Sequence, residues 1–177
     1  MVGAVRHQRV VTGVSGSPGS MTALHRAAAE ARLRDAELWV VLAWQAPGGA
    51  GPLGRHFGGA ASPTARCRAA AVEQLRSALE AAFGAVRPGV TLAGLTVRGT
   101  PGAALVDAVR DADDLIVVGT GSRTLIQWLR PSVARYCQTH APCPVLTVPP
   151  SPLQAELVSV HRRNFLRLPL DLRELAS

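Results

Sequence analysis

Arg9-Val10-Val11-Thr12-Gly13-Val14 followed at once by Ser15-Gly16-Ser17-Pro18-Gly19-Ser20 decides the fold. The first six residues form a short apolar run with β-branched side chains, which predicts a buried strand. The next six are a turn cluster that ends in a helix start, with Ser17 as N-cap and Pro18 at the first helical position. Alanine, leucine and arginine spacing then predicts a helix over 18–33. A buried strand running through a Gly/Ser turn into a helix is the opening of a βαβ unit.

The same alternation repeats downstream. Glu37-Leu38-Trp39-Val40-Val41-Leu42-Ala43-Trp44 is almost continuously apolar, as expected of a strand covered on both faces. A Gly/Pro/Ala-rich stretch, 47–62, predicts a loop, and an Ala-rich segment, 63–83, places Ala71, Leu75, Ala78, Leu79 and Ala82 at helical spacing. Further strands are predicted over 90–97, 115–118 and 145–148, and further helices over 101–112 and 131–140, with a loop over 119–130. Strands alternating with helices imply a doubly wound α/β domain with a five-stranded parallel sheet and about four helices. Residues 1–150 form that domain; residues 151–177 are a C-terminal arm with leucine at nearly every second position from Leu166 to Leu172. Pro169 favours an edge strand, or an extended arm lying on a neighbour or on its own domain, over a central strand.

Composition narrows the function. The 177-residue chain carries a formal charge of +7, and all 19 of its basic residues are arginine. With no lysine there is neither a Walker-type phosphate lysine nor a Schiff-base amine. The arginines are scattered among acids and few aromatics accompany them, so no nucleic-acid partner is expected. No apolar run reaches the roughly 18 residues of a membrane helix, the first residues show no leader, and three cysteines make no disulfide framework. The expectation is a cytoplasmic protein with no membrane contact.

Three chemical motifs are approached and missed. Gly13-Val14-Ser15-Gly16-Ser17 falls one residue short of the nucleophile elbow G-x-S-x-G, with no histidine and acid in evident support. Val14 stands where a dinucleotide-binding fingerprint needs its first glycine. Cys137-x2-His140-x2-Cys143 has a metal-like spacing, but the two cysteines belong to different elements and are expected to be buried structural thiols. No metal site is expected. The acidic cluster Asp111, Asp113 and Asp114 is expected to be a solvated turn.

Residues 8–149 resemble universal stress proteins. The resemblance is carried by Val10 to Ser20, by Ala28 to Leu38, by Asp114-Leu115-Ile116-Val117-Val118-Gly119 and by His140-Ala141-Pro142-Cys143-Pro144-Val145-Leu146-Thr147-Val148. It implies an adenine nucleotide alpha hydrolase-like fold and a homodimer joined through the last strand. It also implies a stress-response role without catalysis, acting through an unidentified protein partner. Many such proteins bind ATP, with its Mg, through an Asp after the first strand and a loop G-x2-G-x9-G-[ST] after the fourth; others bind none. Carried over, the nucleotide site comprises Gly13, Ser15, Ala43, Gly119, Thr120, Gly121, Ser122, Arg123, Pro131, Ser132 and Val133.

The pattern is altered at three of these places. Ser15 stands at the Asp position, Gly119-Thr120-Gly121 is one residue short, and Pro131, which has no N–H, replaces the third glycine. Each hydrogen bond lost to a charged ligand costs roughly 1.5–3 kcal/mol. The expectation is weak or lost ATP binding; the alternative is an ATP- or AMP-binding sensor with a remodelled phosphate loop that uses the surviving hydroxyls and Arg123.

Overall fold

The computed structural model describes residues 7–46, 62–84, 88–120, 132–149 and 151. The elements are β1 (Arg9–Gly13), α1 (Pro18–Leu33), β2 (Glu37–Trp44), α2 (Pro63–Phe83), β3 (Leu92–Arg98), α3 (Pro101–Ala108), β4 (Leu115–Gly119), α4 (Val133–His140) and β5 (Val145–Val148). All strand pairs are parallel and the sheet order is β3-β2-β1-β4-β5. The chain steps outward from β1 to β3, then returns to the other side of β1. The order therefore reverses between β1 and β4.

Side-chain alternation sorts the strands into two cores. Val10, Leu38, Val40, Leu42, Leu115 and Val117 pack with Leu24, Ala27, Ala28 and Ala31 of α1 and with Ala71, Leu75 and Ala78 of α2. Val11, Val41, Ile116 and Val118 pack on the other face with Ala104 and Leu105 of α3, Ala134 and Cys137 of α4, and Cys143. Small residues on α1 let that helix lie close to the sheet. Glu30, nearly buried, is held by Arg26 at 2.6 Å and Arg34 at 3.4 Å.

The helix starts follow their local signals. Ser17 accepts from the Ser20 N–H, Ser62 from the Ala65 N–H and Ser132 from the Arg135 N–H. Three boundaries differ from expectation by two residues or more. β3 begins at Leu92 rather than Val90; the Thr91 carbonyl already accepts from the Leu38 N–H. α4 begins at Val133, with Ser132 as its cap, and Pro131 lies outside the described residues.

The third boundary has a cause in the acidic cluster. α3 ends at Ala108 rather than at 112, because Val109 is extended and the next two N–H groups are drawn to a side chain. Asp114 accepts from the backbone N–H groups of Arg9 at 2.8 Å, Arg110 at 2.8 Å and Asp111 at 3.1 Å. Its carboxylate is buried, so the solvated-turn expectation is corrected for this residue; Asp113 is exposed. The buried charge is tolerated because three N–H dipoles converge on it.

Candidate functional site

In an open parallel sheet, the crevice for a ligand opens beyond the carboxyl ends of the strands where the order reverses. Here that place is the exit of β1. Gly13, its last residue, is paired with Val41, so Leu42, Ala43 and Trp44 of β2 run on past it as one wall. Gly119 and Thr120 at the end of β4 form the other, with the Thr120 N–H tied to the Val148 carbonyl. The result is a notch above β1.

The β1–α1 loop fills the floor of this notch. Val14 N–H donates to the Val41 carbonyl, and the chain turns at Gly16, whose φ of +77° favours glycine. Ser15 is exposed; its Oγ lies 3.0 Å from Ser17 Oγ, and its N–H donates to Ser20 Oγ at 3.2 Å. Ser20 Oγ in turn donates to the Ser17 carbonyl at 2.7 Å. The Ser15 and Ser17 hydroxyls thus meet each other, while the Ser20 hydroxyl bonds backbone groups of both, at the start of a helix whose first turn holds no acid. Such a helix start favours an anion but supplies no carboxylate.

Two glycines set how closely the walls approach. A Cβ on Gly119 would stand 2.7 Å from the Gly19 carbonyl oxygen, so only glycine lets the first turn of α1 lie against the end of β4. A Cβ on Gly13 would meet Leu105 Cδ1 of α3 at 3.4 Å, a contact that a small shift relieves.

Of the site residues expected from sequence, Gly13, Ser15, Gly119 and Thr120 gather at the notch. Ala43 stands on the β2 wall, partly buried against the α3 side of the sheet. Ser132 caps α4, its Oγ engaged by the Arg135 N–H at 3.2 Å, and Val133 is the first residue of that helix. Gly121, Ser122, Arg123 and Pro131 lie outside the described residues. Tested against ATP, the described residues fit only in part: the helix start and close glycines suit phosphate, whereas the position after β1 has a hydroxyl already bonded to its neighbour.

One residue at the notch was missed. Gln74 of α2 donates from Nε2 to the Ser15 carbonyl at 3.3 Å. It is 59 positions away in sequence, and its only local signal is its place beside the buried stripe Ala71, Leu75 and Ala78.

The cysteine–histidine spacing does not form a site. Cys137 and Cys143 are buried, while exposed His140 donates from Nδ1–H to the Tyr136 carbonyl and stacks on the Tyr136 ring at 4.1 Å. Burial pushes the Cys137 thiol up to about 11, helped by neighbouring Cys143, and raises Cys143 as well. Among the described residues, no group of three or more His, Cys, Asp or Glu side chains is placed to hold a metal. A cavity of about 1030 Å³ does open at the amino ends of β2 and β3. It mixes Arg32 and Arg76 with Asp35, Glu37 and Glu80, so neither sign of charge dominates.

Comparison with curated proteins gives no match. Among solved structures, the chain is similar to a universal stress protein in complex with cAMP. The two are 27% identical, with 82% of this chain and 98% of that one covered and a TM-score of 0.51. It is similar to the universal stress protein of Archaeoglobus fulgidus at 26% identity, 80% and 98% coverage and a TM-score of 0.57. UspA of Lactobacillus plantarum, at 22% identity, 82% and 99% coverage and a TM-score of 0.57, shares the fold. Among the described residues, no helix is long and apolar enough to cross a membrane. A profile of the universal stress protein family matches residues 6–149, and the chain belongs to that family.

Proposed function

We propose that this chain is a non-enzymatic stress-response or regulatory module that acts through protein contacts, with ATP binding weak or lost. The observation that carries this is Ser15. Its hydroxyl is 3.0 Å from Ser17 Oγ, so the position after β1 offers neither a carboxylate for a nucleotide nor a nucleophile paired with a base. Pro131 supports the same reading, since it removes one backbone donor from the phosphate loop.

The module is a homodimer joined through β5, in the cytoplasm. Among the described residues, β5 is an edge strand of four partly buried residues with one unpaired side, which suits strand-to-strand association. Three free cysteines suit a reducing compartment. The 151–177 arm lies on the partner subunit, because its leucines need cover. Ending the chain at Pro150 is expected to weaken the dimer, measured by sedimentation; unchanged dimer affinity and stability would overturn that placement.

A second reading is favoured by the notch itself. Close glycines, an acid-free helix start and the likeness to a cAMP-bound relative at 27% identity support a sensor for adenine nucleotides with a remodelled phosphate loop. Isothermal titration with Mg-ATP and with AMP, on protein first checked for co-purified nucleotide, separates the two. The first reading expects no binding below millimolar ATP, and Ser15→Asp with Pro131→Gly is expected to tighten it. Micromolar ATP binding by the unaltered protein would overturn the first reading and establish the second.

A further inference from the structure

The notch has lost its carboxylate, yet a hydrogen-bond acceptor from another element reaches the same loop. Gln74 projects from α2 across to the β1–α1 turn, where Nε2 donates to the Ser15 carbonyl and lies 3.8 Å from the place a Cβ would occupy on Gly16. This bond fixes the amide plane with one N–H spent. No described residue is bonded to Oε1 of Gln74, and the side chain is exposed.

The other polar groups of the loop are differently committed. Ser15, Ser17 and Ser20 bond to one another or to the helix start. A ligand donor entering beside Ser15 therefore meets hydroxyls that are already engaged, and one amide oxygen that is not. Gly16 is needed for its positive φ, and a Cβ there would stand 3.8 Å from the Gln74 amide, at ordinary contact distance.

We infer that Gln74 is a binding residue of the notch, its Oε1 accepting a ribose hydroxyl of an adenine nucleotide in place of the missing carboxylate. The inference rests on the nucleotide-sensor reading above. A neutral acceptor contributes less than a carboxylate, so the expected affinity is weak. It also removes one negative charge from the neighbourhood of the phosphates. The carboxylate's function is thereby moved from the β1–α1 loop to a helix that packs over it.

The test is a cycle between residue and ligand. AMP and 2′,3′-dideoxy-AMP are titrated calorimetrically into the full-length protein and into Gln74→Leu. The unaltered protein is expected to bind AMP about tenfold more tightly than the dideoxy analogue, and Gln74→Leu to bind both with the weaker affinity. The thermal midpoint of Gln74→Leu should stay close to that of the unaltered protein, because the residue is exposed. Equal weakening for both ligands would mean that Gln74 only holds the loop and would overturn the inference, as would no weakening at all. If the unaltered protein binds neither nucleotide at millimolar concentration, the sensor reading fails and takes the inference with it.

Discussion

The carbonyl oxygen of Gly19 and the α-carbon of Gly119 meet so closely that a methyl group between them would stand 2.7 Å from the oxygen. The two glycines differ in what they tolerate, because nothing lies within 4 Å of a Cβ on Gly19 itself. Gly119→Ala is expected to cost about 1–3 kcal/mol as α1 is forced off the end of β4. Gly19→Ala, in the first turn of a helix, is expected to be neutral or to stabilise by up to about 1 kcal/mol. Urea denaturation of the two variants checks the contrast; equal effects would contradict the close approach.

Asp114 is the second test of the fold. Three backbone N–H groups converge on its buried carboxylate, from the start of β1 and from the turn that ends α3. Asp114→Ala strands those donors and is expected to destabilise by about 3 kcal/mol or more. Asp113→Ala, at an exposed neighbour, is expected to lose no more than about 0.5 kcal/mol. The comparison distinguishes a buried clamp from a solvated acidic turn.

Thr12 is expected to respond in the opposite direction. It lies fully buried in β1, and among the described residues its hydroxyl has no hydrogen-bond partner. Thr12→Val keeps the shape, removes the unpaired oxygen, and is expected to stabilise by about 1 kcal/mol. A destabilised variant would reveal that the hydroxyl has an unseen partner.

The buried thiols give a pH signature. Desolvation raises Cys137 from 9.0 to about 11, so the unfolded chain releases this proton at lower pH than the folded one. Below pH 9 the contribution to stability is complete; between about 9 and 11 it is lost as the unfolded thiolate gains population. Cys137→Ala is therefore expected to flatten the alkaline fall in the thermal midpoint. At pH 8 a thiol reagent should label half-buried Cys67 quickly and Cys137 and Cys143 only on unfolding. Rapid labelling of all three in the native protein would contradict their burial.

Much of this architecture is legible because its signals are local. Ser17-Pro18 and Ser62-Pro63 place a cap before a residue already shaped for the first turn, and both helices begin there. The runs 37–44 and 145–148 are apolar enough to declare strands, and both strands form with those limits. The end of α3 escapes such reading because Asp114, not the helix's own composition, captures the next two N–H groups. Composition also makes Asp114 look like its neighbour Asp113, since one of the donors that settle its burial is 105 positions away. The site divides the same way: strand-end glycines announce the notch, whereas Gln74 reaches it only through packing of α2 over α1 and the sheet.

The bond between Arg9 and Asp114 spans 105 positions and joins β1 to the turn that leads into β4. β1 lies at the centre of the finished sheet, flanked by β2 and β4. During synthesis β2 emerges soon after it, but β4 follows only after α2, β3 and α3. At about 5–20 residues per second the gap lasts on the order of four to fifteen seconds on the ribosome. Throughout it, β1 carries a bare row of backbone donors and acceptors able to pair with the wrong chain. A strand that ends as the middle of the molecule therefore begins as its open flank, and the nascent chain needs protection there until Gly119 has passed the exit.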